Sequence, residues 1–126
     1  MSPIIGVFLS YLAGSIPSAY LAGKARGIDL RKHGSGNLGA TNVVRVLGPR
    51  IGGVVFVADL LKGFLPVYFL PRYAETLRPE VWALVYGVAA ILGHVKPIFL
   101  LGKGGGKGVA TASGVFLALA FVPMLI

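Results

Sequence analysis

The chain has 126 residues, 56% of them hydrophobic, and sets 12 Lys and Arg against only four Asp and Glu, for a net charge of +8. So few charged side chains cannot cover the surface of a soluble domain, which makes a membrane protein the default class and nucleic acid the poorest of the anionic partners. With no Cys and only two His, disulfides, thiolate metal sites and a cysteine nucleophile are excluded, and a histidine metal site is not expected.

Four apolar stretches, near 3–23, 51–70, 81–101 and 109–126, each approach the roughly 20 residues that cross the hydrocarbon core. They predict an all-α integral membrane protein, one transmembrane helical domain over 1–126. No Lys or Arg precedes the first stretch and the basic residues follow it, so it is read as a retained helix rather than a signal peptide. Ser10, Gly14, Ser18 and Ala22 recur along it every four residues, as Ala110, Gly114 and Ala118 do along the fourth, and both stripes predict close helix packing. Pro17 and Pro97 each remove a backbone hydrogen bond and bend the chain. The fourth stretch runs to Pro123-Met124-Leu125-Ile126 with no polar flank, and the chain is expected to stop inside a helix or at its far end.

Loop charge sets the orientation. Lys24, Arg26, Arg31, Lys32, Arg45 and Arg50 lie between the first two stretches against Asp29 alone, whereas Arg72 and Arg78 are balanced by Glu75 and Glu80 in the next connection. The positive-inside rule then puts the first loop, and the third with Lys103 and Lys107, in the cytoplasm and the N-terminus outside.

Both cytoplasmic loops are rich in glycine. The segment from His33 to Arg45 contains Gly34, Ser35, Gly36, Asn37, Gly39, Thr41 and Asn42 and turns into a short helical pattern ending before Gly48-Pro49. Glycines let several N–H groups face one anion, and a helix N-terminus adds partial positive charge, which suits a phosphate. Gly34, Gly36 and Gly39 satisfy G-x-G-x-x-G, but the dinucleotide reading needs a preceding strand, and here a basic loop after a membrane helix precedes them. The second segment, Gly102-Lys103-Gly104-Gly105-Gly106-Lys107-Gly108 leading to Thr111, again opens a helix. It fails the P-loop pattern because Gly108 follows Lys107, yet a glycine nest with two ammonium groups still fits a phosphate monoester or a mixed anhydride.

Inside the second stretch stand Asp59 and Lys62, where a lone charge costs ~2.5 kcal/mol or more. Their three-residue spacing lets them pair, which leaves a structural ion pair and a catalytic role both open. His94, two turns before the second glycine segment, reads either as a packing residue or as a functional one.

Gly34 to Arg45, the run Asp59-Leu60-Leu61-Lys62-Gly63, and Gly93-His94 through Pro97 to 105–111 together resemble the PlsY family, the bacterial acyl-phosphate:glycerol-3-phosphate acyltransferases, over most of the chain. The resemblance implies a multi-pass inner-membrane enzyme with its active site facing the cytoplasm. It would use acyl-phosphate rather than acyl-CoA or acyl carrier protein, act on glycerol-3-phosphate, give lysophosphatidic acid and need no cofactor or metal. It places the family's key Ser and Arg at Ser35 and Arg45 and the second motif on Gly104 to Gly108. The extra glycine between Lys103 and Lys107, compared with the family's Lys-Gly-Gly-Lys-Gly, leaves open which lysine takes which part. Family members continue through further helices to a third motif with His and Asn that this chain lacks, so the chain is expected to be incomplete, which leaves open whether it is active as it stands.

The catalytic set expected is therefore Ser35, Arg45 and His94. Binding falls to Gly34, Gly36, Asn37, Gly39, Thr41, Asn42, Lys103, Gly104, Gly105, Gly106, Lys107, Gly108 and Thr111, with membrane lipid as the surrounding partner. An acyl-phosphate is already activated, so the task is to hold two anions close and orient a hydroxyl. The donor's own phosphate oxygen is the expected base, with His94 the rival, as base or as activator of a Ser35 nucleophile. From another class, a transporter or binding subunit could hold a phosphorylated small molecule at broken helices. It predicts internal symmetry, and the two halves show no convincing repeat.

Overall fold

The computed structural model describes residues 1–101 and 106–121, and the described residues are helical with no strand. Helix α1 (Pro3–Ser15) and α2 (Ser18–Ala25) divide the first apolar stretch. Pro17 lacks the N–H that would continue α1, so the chain breaks at Ile16–Pro17 and restarts one residue later. A short 3-10 turn at Leu30–Lys32 leads to α3 (Ala40–Leu47), which Gly48, at φ +95°, terminates. Then come α4 (Pro49–Tyr73), α5 (Pro79–Val95), a second 3-10 turn at Ile98–Leu100, and α6 (Val109–Phe121). Pro97 ends α5 rather than bending it, since the helix stops at Val95.

Three segments, Pro3–Ala25, Pro49–Tyr73 and Pro79–Leu100, are long and apolar enough to cross a membrane. The expected fourth is described only as the 13-residue α6, too short by itself for a span of about 20 residues. Its remainder, 122–126, lies outside the described residues.

Small residues let the helices meet at backbone distance. Gly14 on α1 lies against the Ala90 carbonyl of α5, and Gly93 on α5 lies against Tyr11 and Ser15 of α1. Gly63 on α4 meets the Thr111 carbonyl, and Gly114 on α6 meets the Leu60 carbonyl. A Cβ at any of these positions would overlap backbone atoms of the neighbouring helix, so α1 packs on α5 and α6 on α4 through the small-residue faces that membrane packing favours. Of the two expected stripes, Ser10, Gly14, Ala110, Gly114 and Ala118 are buried, while Ser18 and Ala22, past the break, are half-buried. Outward-facing Ile4, Phe8, Val54, Val88 and Phe116 stay exposed, as lipid-facing side chains should.

One end of the bundle gathers both glycine-rich segments. The N-terminus lies at the other, where the Met1 amino group pairs with Glu75 at 3.1 Å and the Glu75 N–H donates to the Met1 carbonyl.

Candidate functional site

The first glycine segment is shaped by Asn42. Its side chain, 2% exposed, accepts from the Ser35 N–H at 3.0 Å and donates to the carbonyls of His33 (3.1 Å) and Asn37 (3.0 Å). Room for that amide comes from Gly34, where a Cβ would run into Asn42 Oδ1; Gly34 and Gly36 both take positive φ, +56° and +75°, the conformation glycine tolerates. The Ser35 Oγ accepts from the Asn37 N–H at 3.3 Å, which leaves the hydroxyl proton available to donate elsewhere.

Gly39 then caps α3 without any side-chain partner for the helix's leading N–H groups, so these point, with the positive end of the helix dipole, into open space. Arg45, one turn on, is exposed and forms no ion pair with a carboxylate among the described residues. Arg31, in the same basic loop, differs. Its guanidinium holds Asp29 through two hydrogen bonds of 3.0 and 2.9 Å and lies over the Tyr20 ring at 4.9 Å. That partnership, with the side-chain hydrogen bond from Arg31 the main cause, draws the Asp29 carboxyl down to about 2.

The second glycine segment is described from Gly106 on. Gly106 is buried where a Cβ would strike the His94 ring at Nε2 and stand 2.9 Å from the Leu38 carbonyl. Leu38 belongs to the first segment, so this one glycine joins the two loops. Gly108 takes φ +84°, and its carbonyl accepts the Ala112 N–H at 2.8 Å as α6 begins.

Between the loops lies a cavity of about 290 Å³. Its lining brings together Ser35, Asn37, Gly39, Thr41, Asn42 and Arg45 from the first segment and α3, His94 from α5, and Lys107 and Gly108 from the second segment. Gly34, Gly36 and Gly106 shape the walls without lining it. Thr111, expected to bind ligand, instead points away from the cavity and donates from Oγ1 to the Asp59 carbonyl at 3.0 Å, a fully buried tie between α6 and α4. Lys103, Gly104 and Gly105 lie outside the described residues.

Sequence reasoning missed part of the wall. Asp59 lines the cavity as well as pairing with Lys62 at 2.9 Å, and Phe56, one turn earlier on α4, supplies an apolar side with Val109 and Ala110. The i, i+3 relation of Phe56 to Asp59 was a usable signal, since both must share a helix face. Around the one cavity stand two helix N-termini, a guanidinium unpaired with any carboxylate among the described residues, an exposed ammonium, a hydroxyl and the Asp59 carboxylate; helix N-termini and guanidinium groups are donors that suit anionic oxygen. Among the described residues no group of three or more His, Asp or Glu is placed to hold a metal ion.

The family model for glycerol-3-phosphate acyltransferase matches residues 4–126. The chain belongs to this family. It is 48% identical to the glycerol-3-phosphate acyltransferase of Geotalea daltonii over 98% of this chain and 62% of that protein, and 50% identical to that of Bacillus subtilis over 94% and 61%. A solved structure of PlsY (YgiH), an integral membrane glycerol 3-phosphate acyltransferase in its glycerol 3-phosphate form, superposes with TM-score 0.85 at 42% identity, covering 98% of this chain and 59% of that one. The lysophosphatidic acid form gives TM-score 0.81 at 40% identity, over 98% and 58%. The chain thus spans about three-fifths of the length of the relatives it matches. Together with its apolar spans, family membership makes it an all-helical membrane protein.

Proposed function

We propose that the protein transfers a fatty acyl group from acyl-phosphate to glycerol-3-phosphate, giving lysophosphatidic acid, at the cytoplasmic face of a bacterial inner membrane. One observation carries the reading: two glycine-shaped helix N-termini, Arg45 and Lys107 face a single cavity. Two phosphate-bearing substrates need two such cradles side by side. The names of the family and of its solved members, in glycerol 3-phosphate and lysophosphatidic acid forms, point the same way.

In the proposed reaction the glycerol hydroxyl oxygen attacks the acyl carbon, the acyl carbon–oxygen bond to phosphate breaks, and the leaving phosphate takes the hydroxyl proton. Arg45 and Lys107 balance phosphate charge, and N–H groups at the start of α3 or α6 stabilise the oxyanion formed on the way. Ser35 donates its hydroxyl proton to a phosphate or carbonyl oxygen. Phe56, Val109 and Ala110 give the acyl chain an apolar wall on its way to lipid. The competing base is His94, whose ring also lines the cavity. Loop charge supports a cytoplasmic position for both glycine segments and an external N-terminus.

The test uses the intact protein in membranes. It should transfer acyl groups from acyl-phosphate and not from acyl-CoA, with kinetics of a single complex holding both substrates. Denaturing after exposure to radiolabelled acyl-phosphate alone should leave no label on protein. Stoichiometric label that vanishes in Ser35→Ala would replace direct transfer by an acyl-serine route, and substrate binding without turnover would favour a transporter or binding subunit.

A further inference from the structure

We propose that the buried set Asp59–Lys62–His94 is a positioning device that fixes the second glycine segment against the first, and so sets phosphate affinity. This rests on reading the cavity as a phosphate site.

The connections run in one direction across the bundle. At the break between α1 and α2, the Ile16 carbonyl accepts the Lys62 ammonium at 2.9 Å. Lys62 lies 2.9 Å from Asp59 Oδ1, and that same oxygen lies 3.8 Å from His94 Nδ1. The other edge of the ring, Nε2, is what Gly106 packs against, with the Leu38 carbonyl close to the same side of the glycine. All three side chains are at least nine-tenths buried.

The ring therefore has its Nδ1 edge turned toward Asp59 and its Nε2 edge against the backbone of Gly106. At 3.8 Å the Asp59–His94 approach is electrostatic and longer than a hydrogen bond. Neither Asp59 Oδ1 nor His94 Nδ1 has a hydrogen-bond partner among the described atoms. A pocket of about 10 Å³, bordered by Ile16, Asp59, Lys62, His94 and Gly106, has room for about one water to bridge such groups. A lysine held by a helix break, a carboxylate paired with the lysine and a ring facing the carboxylate form a continuous line of buried groups ending on a loop glycine. Supports of this kind lock the geometry of a binding site through the backbone they hold.

His94→Ala and His94→Gln in the intact, membrane-embedded protein separate positioning from proton transfer. Glutamine cannot act as a base, yet its amide reaches about as far as Nε2 and still fills the space beside Gly106. Binding of glycerol 3-phosphate and of inorganic phosphate, followed by titration calorimetry, should weaken about tenfold in His94→Ala. In His94→Gln it should stay within about threefold of wild type, with transfer altered mainly through KM. Unchanged binding in His94→Ala would overturn the proposal. So would a collapse of kcat by about a hundredfold or more in His94→Gln with normal binding, which would identify the ring as the base. If His94→Ala does not fold, the glutamine variant decides alone. A wild-type protein that binds glycerol 3-phosphate but transfers nothing would remove the acyltransferase reading and leave the binding comparison standing.

Discussion

The two glycine-rich segments face the same cavity but are built by opposite means. The first is held from within, because Asn42 on α3 reaches back five to nine residues and satisfies three backbone groups of the loop that precedes its own helix. The second, where it is described, is held from outside, with Gly106 packed against His94 and the Leu38 carbonyl and Gly108 beside Ile91 and Val95 of α5. A loop that carries its own hydrogen bonds keeps its shape when the bundle shifts. A loop that leans on neighbouring helices follows them. One cradle is thus a fixed reference and the other reports the packing of α5 and α6.

The sharpest way to break that contrast is at the charge each cradle supplies. Arg45→Ala should lower transfer by about a hundredfold or more, since it removes the guanidinium that faces the cavity, while thermal stability in detergent stays near wild type. Arg45→Lys should recover little, because an ammonium cannot reproduce the two-pronged fork. Near-normal rates in both variants would make Arg45 a lipid contact.

Next in size is Asn42→Ala. It strips three partly buried hydrogen bonds from the first loop at a cost of about 1–3 kcal/mol, and hydrogen exchange should speed up across residues 33–39 while residues 106–112 keep wild-type protection. Equal loosening of both segments would show that they form one unit and that the contrast is false. Asp59→Ala should do the reverse, leaving Lys62 charged without its partner at a cost of about 3–5 kcal/mol and loosening 106–112 more than 33–39.

How much of this could be seen in the sequence follows the same division. The helical class and the α3 termination at Gly48 were legible because each is set by residues within one turn or loop, whereas Pro17, expected only to bend the first helix, breaks it in two. Asn42 lines the cavity, and its amide also holds the loop behind it. Its spacing from Ser35 says that the two are near and not which way the amide faces. Thr111 and Asp59 were harder still. Thr111 sits in the motif that resembles a binding loop but its hydroxyl is taken by the Asp59 carbonyl, and Asp59 reads as half of an i, i+3 pair while its other face looks into the cavity. Both facts depend on α4 meeting α6, a contact between residues 52 apart that no local pattern records.

A smaller effect concerns sidedness. Single cysteines placed in this Cys-free chain at Arg78 and Lys107 should label from opposite sides in intact cells, position 78 without permeabilisation and position 107 only after it. The reverse pattern would invert the orientation and move both cradles to the outside.

The smallest is a pH effect at the entrance to the first loop. The Asp29 carboxyl, lowered to about 2 by Arg31, contributes order that is fully present above its ordinary value near 4 and is lost as pH falls through about 2. Exchange at the Arg31 amide, which donates to Asp29, should accelerate over that interval relative to its neighbours, and Asp29→Asn should abolish the difference while leaving transfer at pH 7 unchanged.

The lysine at the helix break also has a consequence for biogenesis. When α4 enters the bilayer, Lys62 arrives with Asp59 one turn away, but its second acceptor, the Ile16 carbonyl, belongs to a segment synthesised 46 residues earlier. The second span therefore reaches its lowest energy only beside the first, and the two should leave the translocon as a hairpin instead of singly. Pulling-force measurements on nascent chains would register this as a single late event that weakens when Lys62 is replaced by methionine.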